Sequence, residues 1–242
     1  MKKIIIVITA LLGFTQGTFA APRTIAPGSY NLEMTARPNE CYPPLDQYNV
    51  TLTISGEGSA FPVKLSRHHI IPYNLLRGFY NKVIQQGKVD KIAGFLNKIN
   101  EKAAEYGATK CTSDDIQGGA SLAALIASKG VVHDSSQISP DYKDDFFSLY
   151  IWMPGNLFPG PQSDLRSDDP KEKLESRAGH IVGAEFSRYQ QLYNDMNSYV
   201  SNPDDSKLAS INANLEFIAG LTASYSLKSE DWIKEGSKYH LK

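Results

Sequence analysis

The chain has 242 residues, of which 41% are hydrophobic and 21% charged, and its formal net charge is −1. This composition is that of an ordinary globular protein, which excludes a chain dominated by disorder. Charge is unevenly spread: residues 61–110 hold nine Lys and Arg against three Asp and Glu (9 − 3 = +6), and residues 111–170 hold the reverse (3 − 9 = −6). A basic block suits an anionic substrate, whereas the acidic remainder argues against a protein that coats nucleic acid nonspecifically.

Residues 1–20 have the pattern of a secretory signal peptide. Two lysines precede an apolar run over residues 4–14, and small residues lead up to Ala20. The run is shorter than the ~20 residues that a membrane span requires. We therefore expect a periplasmic or secreted protein with no membrane association after cleavage, and one mature domain over residues 21–242.

The chain contains two cysteines, Cys41 and Cys111. An oxidising compartment favours a disulfide between them, and two free buried thiols are the alternative.

The pattern of apolar residues predicts an α+β fold. Residues 28–66 alternate apolar and polar side chains, which indicates short antiparallel strands, and the remainder is mostly helical. The predicted later elements are helices over 74–87, 89–106 and 113–128, a short strand over 147–152, a helix from Asp169-Pro170, and a last helix over about 205–226. Asp169, Pro170 and Glu172 match a helix cap, a first helical position and a capping box.

A histidine pair, His68-His69, follows the last of the predicted N-terminal strands. Adjacent side chains on a strand point to opposite faces, and at a strand end they can splay around one centre. One neutral imidazole could then hold a metal ion while the other accepts a proton from water. The alternative is a pair of exposed polar residues on a turn.

The segment SRHHIIP resembles the first motif of the HNH, or ββα-metal (His-Me finger), endonuclease superfamily in its His-His variant. The resemblance implies that His68 binds a divalent cation and that His69 is the general base. It also implies that Asn156, in MPGNLFPGP, orients the base, and that His180, in SRAGHIVGAEF, completes the metal site. Asn156 as a turn residue and His180 as an exposed or capping residue are the alternatives.

The same resemblance implies a ββα-metal core around residues 61–72 and 147–200, with a helical insertion over about 74–130. Arg67, beside the pair, is a candidate phosphate clamp, with a plain surface charge as the alternative. Asp168 is a candidate metal ligand because oxygen donors suit magnesium or manganese, and zinc is the other metal expected. Two lesser candidates are Arg166, near Asp168, and His133, a replacement for His180.

Together these observations predict an exported, metal-dependent endonuclease-like hydrolase that cleaves phosphodiester bonds, with nucleic acid as its substrate. Two alternatives remain open. One is an exported zinc metallohydrolase of another class, with zinc at His68, His69 and His180. The other is a noncatalytic secreted binding or toxin-accessory protein, for which an immunity or toxin partner is expected.

Overall fold

The computed structural model describes residues 32–45, 51–53, 60–130 and 140–242, so the predicted signal peptide and His133 lie outside the described residues. The strands are β1 (Thr51–Thr53), β2 (Ala60–Pro62), β3 (Leu65–His69), β4 (Leu157–Pro161), β5 (Trp232–Glu235) and β6 (Lys238–Leu241). The helices are α1 (Tyr73–Gln85), α2 (Ala93–Lys102), α3 (Ser113–Lys129), α4 (Pro140–Ile151), α5 (Gly179–Val182), α6 (Phe186–Ser201) and α7 (Leu208–Gly220). The fold is α+β, as predicted.

The strands form three antiparallel pairs: β1 with β2, β3 with β4, and β5 with β6. Helices α1 to α4 lie between β3 and β4 in the sequence, and the first three of them fall where the helical insertion over about 74–130 was expected. They form because their apolar residues recur at helical spacing; α1, for example, buries Leu75, Phe79 and Val83 on one face. The central strand pair therefore joins two segments separated by a helical bundle.

Helix α3 was predicted almost to the residue. Its capping box is built by Thr112 and Asp115, one residue before the expected cap at Ser113. The helix ends at Gly130, whose φ of 74° lies in the region that glycine tolerates best.

The strand predicted over residues 147–152 is wrong, because this segment belongs to α4. Its aromatic residues have high strand propensity. Phe146 and Tyr150 are nevertheless one helical turn apart, and their rings stack with centroids 6.3 Å apart. Helix α4 also packs closely on α3: a Cβ added to Gly119 would lie 2.7 Å from the backbone nitrogen of Phe146. This close approach between helices outweighs the strand propensity of the run.

The helix predicted to start at Asp169-Pro170 is also wrong. Asp169 Oδ1 accepts from the N–H of Lys171 (2.9 Å), and Lys171 has a φ of 53°, so the chain turns there. The N–H of Glu175 then donates to the carbonyl of Ile70 (3.1 Å). This tertiary contact holds residues 170–178 as turns, and helical structure resumes only at Gly179 in α5 and α6.

The hairpin β5–β6 was not predicted. It packs against β4, where a Cβ added to Gly160 would lie 2.4 Å from the Trp232 ring. It also holds the loop after β4: the N–H of Leu241 donates to Asp168 Oδ2 (2.9 Å), and the N–H of Ser167 donates to the carbonyl of Tyr239 (2.9 Å). The C-terminus therefore fixes the loop that follows the central strand pair.

The predicted disulfide between Cys41 and Cys111 is confirmed, with the two Cα atoms 5.0 Å apart. It joins residues 32–45 to the segment before α3 across 70 positions of sequence. A disulfide of this kind indicates a protein of an oxidising, non-cytoplasmic compartment. Within the described part of the chain, every helix is too short or too polar to cross a membrane.

Candidate active site

The site is organised by the antiparallel pair of β3 and β4. His69 pairs with Leu157 and His68 with Phe158, so the histidine pair lies beside the first residues of β4. Asn156 immediately precedes that strand. The sequence-predicted residues His68, His69 and Asn156 are therefore brought together although they come from segments more than 80 positions apart, as the separation of 85 between Asn156 and Ile71 shows.

Asn156 is 1% exposed and ties the turn after the histidine pair to β4. The N–H of Ile71 donates to its Oδ1 (2.8 Å), and its Nδ2 donates to the carbonyl of Ile71 (2.9 Å). The N–H of Ile70 donates to the backbone carbonyl of Asn156 (3.0 Å). The amide thus fixes the backbone that carries His69, and its own donor and acceptor are both occupied.

His69 is held in one neutral form. Its Nε2 lies 3.0 Å from the carbonyl oxygen of Ile151. Since a carbonyl can only accept, Nε2 carries the hydrogen and Nδ1 is left as an acceptor. Burial, and then the charge of Arg37, lowers the pKa of His69 to about 3. The ring also contacts Trp152, with 4.7 Å between centroids.

His68 is held in the same way on the other face of the strand. Its Nε2 lies 2.7 Å from the carbonyl oxygen of Pro161 and 3.3 Å from Ser66 Oγ. Burial, and then the charge of Arg166, lowers the pKa of His68 to about 4. His68 is 8% exposed. The low pKa values leave both imidazoles neutral at pH 7, and both keep Nδ1 as the acceptor.

Both histidines line a cleft of about 560 Å³, which is the size range of small-molecule sites. The basic residues of the cleft are Arg37, Arg67, Arg166 and Lys171. Its acidic residues are Glu40, Asp169 and Glu175. Its lining includes one wall from the N-terminal segment and residues of the loop after β4. The basic side chains of the lining outnumber the acidic ones by one, which favours an anionic ligand only slightly.

Arg67, the predicted phosphate clamp, lines the cleft but has protein partners. Its Nη1 donates to Glu40 and to the carbonyl of Pro43 (3.1 Å). Its guanidinium lies over the ring of Tyr42, 5.0 Å from the centroid. Arg67 therefore holds the N-terminal wall of the cleft as well as facing the ligand space.

Arg166 lies deeper and forms a buried ion-pair cluster. Its Nε donates to Asp168 Oδ1 (3.1 Å) and its Nη2 to Glu175 Oε2 (2.7 Å). Glu175 is 2% exposed, and burial raises its pKa although the charge of Arg166 opposes that shift. Arg166 was only a lesser candidate from the sequence. The run RSDDP has no pattern that distinguishes a buried arginine from one on the surface.

The three side chains predicted to hold a metal ion do not fit one. Both oxygens of Asp168 accept from protein donors, namely Arg166 and the N–H of Leu241. His180 is exposed on α5, outside the cleft lining, and its charge interaction is with Asp231. Among the residues that the structure describes, no three His, Cys, Asp or Glu side chains form a group that could hold a metal. The cation therefore stays a prediction without an assigned ligand set.

Three further cleft residues were missed from the sequence: Arg37, Tyr73 and Trp152. The Arg37 guanidinium lies between the two rings, 4.5 Å from the Trp152 centroid and 5.7 Å from the Tyr73 centroid. These residues come from three distant segments, so no local spacing could reveal them.

Comparison with known proteins shows that the chain is similar in sequence to a phage protein. The chain is 31% identical over 158 residues to protein p9 of Acyrthosiphon pisum secondary endosymbiont phage 1, and the match covers 62% of this chain and 43% of that protein. The chain thus spans less than half the length of this relative, whose name states no activity. Neither a family model nor a solved structure matches the chain, and the HNH resemblance stays a prediction.

Proposed function

We propose that this protein is an exported hydrolase that cleaves phosphodiester bonds of nucleic acid in the cleft around His69. One observation supports the proposal above the others. His69 ends β3 with Nε2–H bound to a backbone carbonyl and Nδ1 left as an acceptor. Asn156, at the start of the partner strand, fixes the backbone next to it. The resemblance to the HNH superfamily implies a base oriented by an asparagine, and the backbone clamp of Asn156 next to His69 supports that role.

In the proposed reaction, water attacks the phosphorus atom while one of its protons passes to His69 Nδ1. The bond from phosphorus to the leaving oxygen breaks, its electron pair stays on that oxygen, and the oxygen is protonated by solvent. His69 then returns its proton to water. A positioned imidazole base contributes typically ~10²–10⁴-fold to such a step.

The pKa of His69 would have to rise for this role, and a bound anion acts in that direction. Burial and the charge of Arg37 keep the pKa at about 3, which is far below the range of an efficient base near pH 7. A phosphate group in the cleft opposes the Arg37 charge and therefore raises the pKa of His69. Substrate binding and base strength are coupled in this proposal.

The resemblance also implies magnesium or manganese, with zinc as the other choice. The residues predicted as its ligands do not fit, so no step of the proposed reaction is assigned to a metal ion. Export is the other part of the proposal, and the disulfide between Cys41 and Cys111 supports it. Mass spectrometry of the chain recovered from the periplasm or medium should find a mature N-terminus after Ala20.

The decisive experiment measures cleavage of supercoiled plasmid DNA and of single-stranded RNA by wild type and His69→Ala, in magnesium, manganese and EDTA. Wild type should cleave at least one substrate, and His69→Ala should lose ~10²–10⁴-fold in rate while its circular dichroism spectrum is unchanged. His240→Ala is the matched control, since His240 lies on β6, outside the cleft lining, and has no predicted role in the site. Equal activity of His69→Ala and wild type would remove His69 as the base.

The noncatalytic binding protein remains the second candidate, because the pKa of each cleft imidazole lies well below 6.5. A module that only binds anions needs no base. It predicts saturable binding of a nucleic-acid oligonucleotide by both wild type and His69→Ala, with no cleavage by either. Cleavage by wild type would exclude this candidate.

A further inference from the structure

The guanidinium of Arg166 has an unsatisfied donor. Its side chain is 0% exposed, and two of its nitrogens donate to Asp168 and Glu175. The third, Nη1, is buried without a hydrogen-bond partner among the residues that the structure describes. Leaving a buried charged donor unpaired is costly. Since Arg166 lines the cleft, an acceptor supplied by a ligand would remove this cost.

The surroundings of Arg166 fix its orientation. The ring of Trp232 lies under the guanidinium, 5.1 Å from its centre, and the two carboxylates hold one edge. A planar donor that is held in this way is preorganised for an oxyanion, because little side-chain entropy is lost when the ligand binds.

The position of this charge matters because it is next to His68. The electrostatic influence of Arg166 on His68 is second only to that of burial. His68 is the residue to which the HNH resemblance assigns a divalent cation. The structure instead places a fixed monovalent cation there, and Asp168, the expected oxygen ligand, is committed to that cation. Asp169 and Asp168 oppose the influence of Arg166 at His68, so the charge of the guanidinium is partly offset there.

We propose that Arg166 binds a nonbridging phosphate oxygen through Nη1, and that it supplies the positive charge that the resemblance assigns to a metal ion. The inference rests on the proposed phosphodiester hydrolysis and names the group that neutralises the substrate. In that reaction Arg166 exchanges no proton: it donates a hydrogen bond to the phosphate, and His69 accepts the proton from water.

The test is a titration of the full chain with inorganic phosphate in the presence of EDTA, followed by NMR of the His68 imidazole and by thermal unfolding. Phosphate should bind saturably and raise the pKa of His68, because a nearby anion favours the imidazolium form. The midpoint of thermal unfolding should rise with phosphate concentration.

Variants assign the binding to one residue. Arg166→Gln should weaken phosphate binding by about 10- to 100-fold, the value of one charged hydrogen bond, and Arg166→Lys should weaken it less because the charge is kept. Arg188→Gln is the matched control: Arg188 also pairs with one carboxylate, Glu185 (2.8 Å), and lies over an aromatic ring, but it is exposed and outside the cleft. It should bind phosphate as wild type does.

The outcomes separate this inference from the proposed function. Phosphate binding that requires magnesium or manganese, or that is unchanged in Arg166→Gln, would overturn the role of Arg166. Binding that depends on Arg166 without any cleavage of nucleic acid would sustain that role and refute the hydrolase. If the Arg166 variants fail to fold, the wild-type titration decides: a His68 pKa that saturating phosphate leaves unchanged overturns the inference, and a raised pKa supports it.

Discussion

The loss of stability at acid pH should report protonation of the two imidazoles of the histidine pair. Their pKa values in the folded protein are about 4 for His68 and about 3 for His69, below the ordinary value of ~6.5 that applies to the unfolded chain. At pH values between the folded and the unfolded pKa, the imidazoles of the unfolded chain bind protons that those of the folded chain do not. The free energy of unfolding must therefore fall as the pH falls below 6.5, and this contribution keeps falling until the folded rings are themselves protonated.

The size of the effect follows from the same values. At pH 5 an unfolded imidazole with a pKa of ~6.5 gains RT ln(1 + 10^1.5), or about 2 kcal/mol, from protonation. Both folded rings are still neutral at pH 5. The pair should thus cost about 4 kcal/mol relative to pH 7, a large part of the 5–15 kcal/mol that typically separates folded from unfolded domains.

Urea unfolding at pH 7 and pH 5, followed by fluorescence of the buried Trp152 and Trp232, measures this loss. The variant His68→Gln/His69→Gln cannot be protonated, so its loss between the two pH values should be about 4 kcal/mol smaller than that of wild type. All other titrating groups are common to both proteins and cancel in the difference. Equal losses in wild type and the double variant would refute the reasoning.

Three further changes test the architecture around the cleft. Asn156→Ala removes side-chain hydrogen bonds of 2.8 and 2.9 Å and leaves buried backbone groups unpaired, so urea unfolding should show a loss of roughly 2–4 kcal/mol; an unchanged stability would contradict its clamping role. Gly160→Ala brings a methyl group to 2.4 Å from a buried tryptophan ring and should cost about 1–3 kcal/mol in the same assay, whereas Gly78→Ala, where a methyl group meets nothing nearer than 3.9 Å, should not destabilise. Arg37→Gln removes a charge that lowers the pKa of His69, so NMR titration should find a higher imidazole pKa, and a pKa that falls or does not change would exclude the electrostatic cause.

Helices with a clear apolar stripe could be predicted from the sequence. Leu75, Phe79 and Val83 recur every three or four residues, and the helix that they predict is α1. The same spacing predicted α3 together with its stop at Gly130. These elements are determined by local periodicity, and the tertiary structure agrees with it.

Elements fixed by distant contacts could not be predicted. Asp169-Pro170 satisfies every local rule for a helix start, yet the hydrogen bond from Glu175 to Ile70 keeps the following residues in turns. The aromatic run of α4 has high strand propensity, and the close crossing at Gly119 favours its helical form. In both cases tertiary packing outweighs the local preference.

The residues of the candidate site also fall into two groups, those that the sequence could identify and those that only the fold reveals. A local motif identified His68 and His69, and the resemblance to the HNH superfamily identified Asn156. The structure brings these three residues together at β3 and β4, and their chemical roles stay predictions. Arg37 and Glu175 reach the cleft only through the fold, since no short-range spacing relates them to the histidine pair.

The bond between Cys41 and Cys111 has a consequence for when the protein matures. Residues of the segment around Cys41, among them Arg37 and Glu40, form one side of the cleft, and this bond is the covalent link that ties them to the helical bundle. Thiols in the cytoplasm are kept reduced, so a newly made chain would lack that link. If the cleft hydrolyses nucleic acid as proposed, its cross-link would form only after export. Nucleic acid in the cytoplasm of the producing cell would then meet a protein that lacks this cross-link.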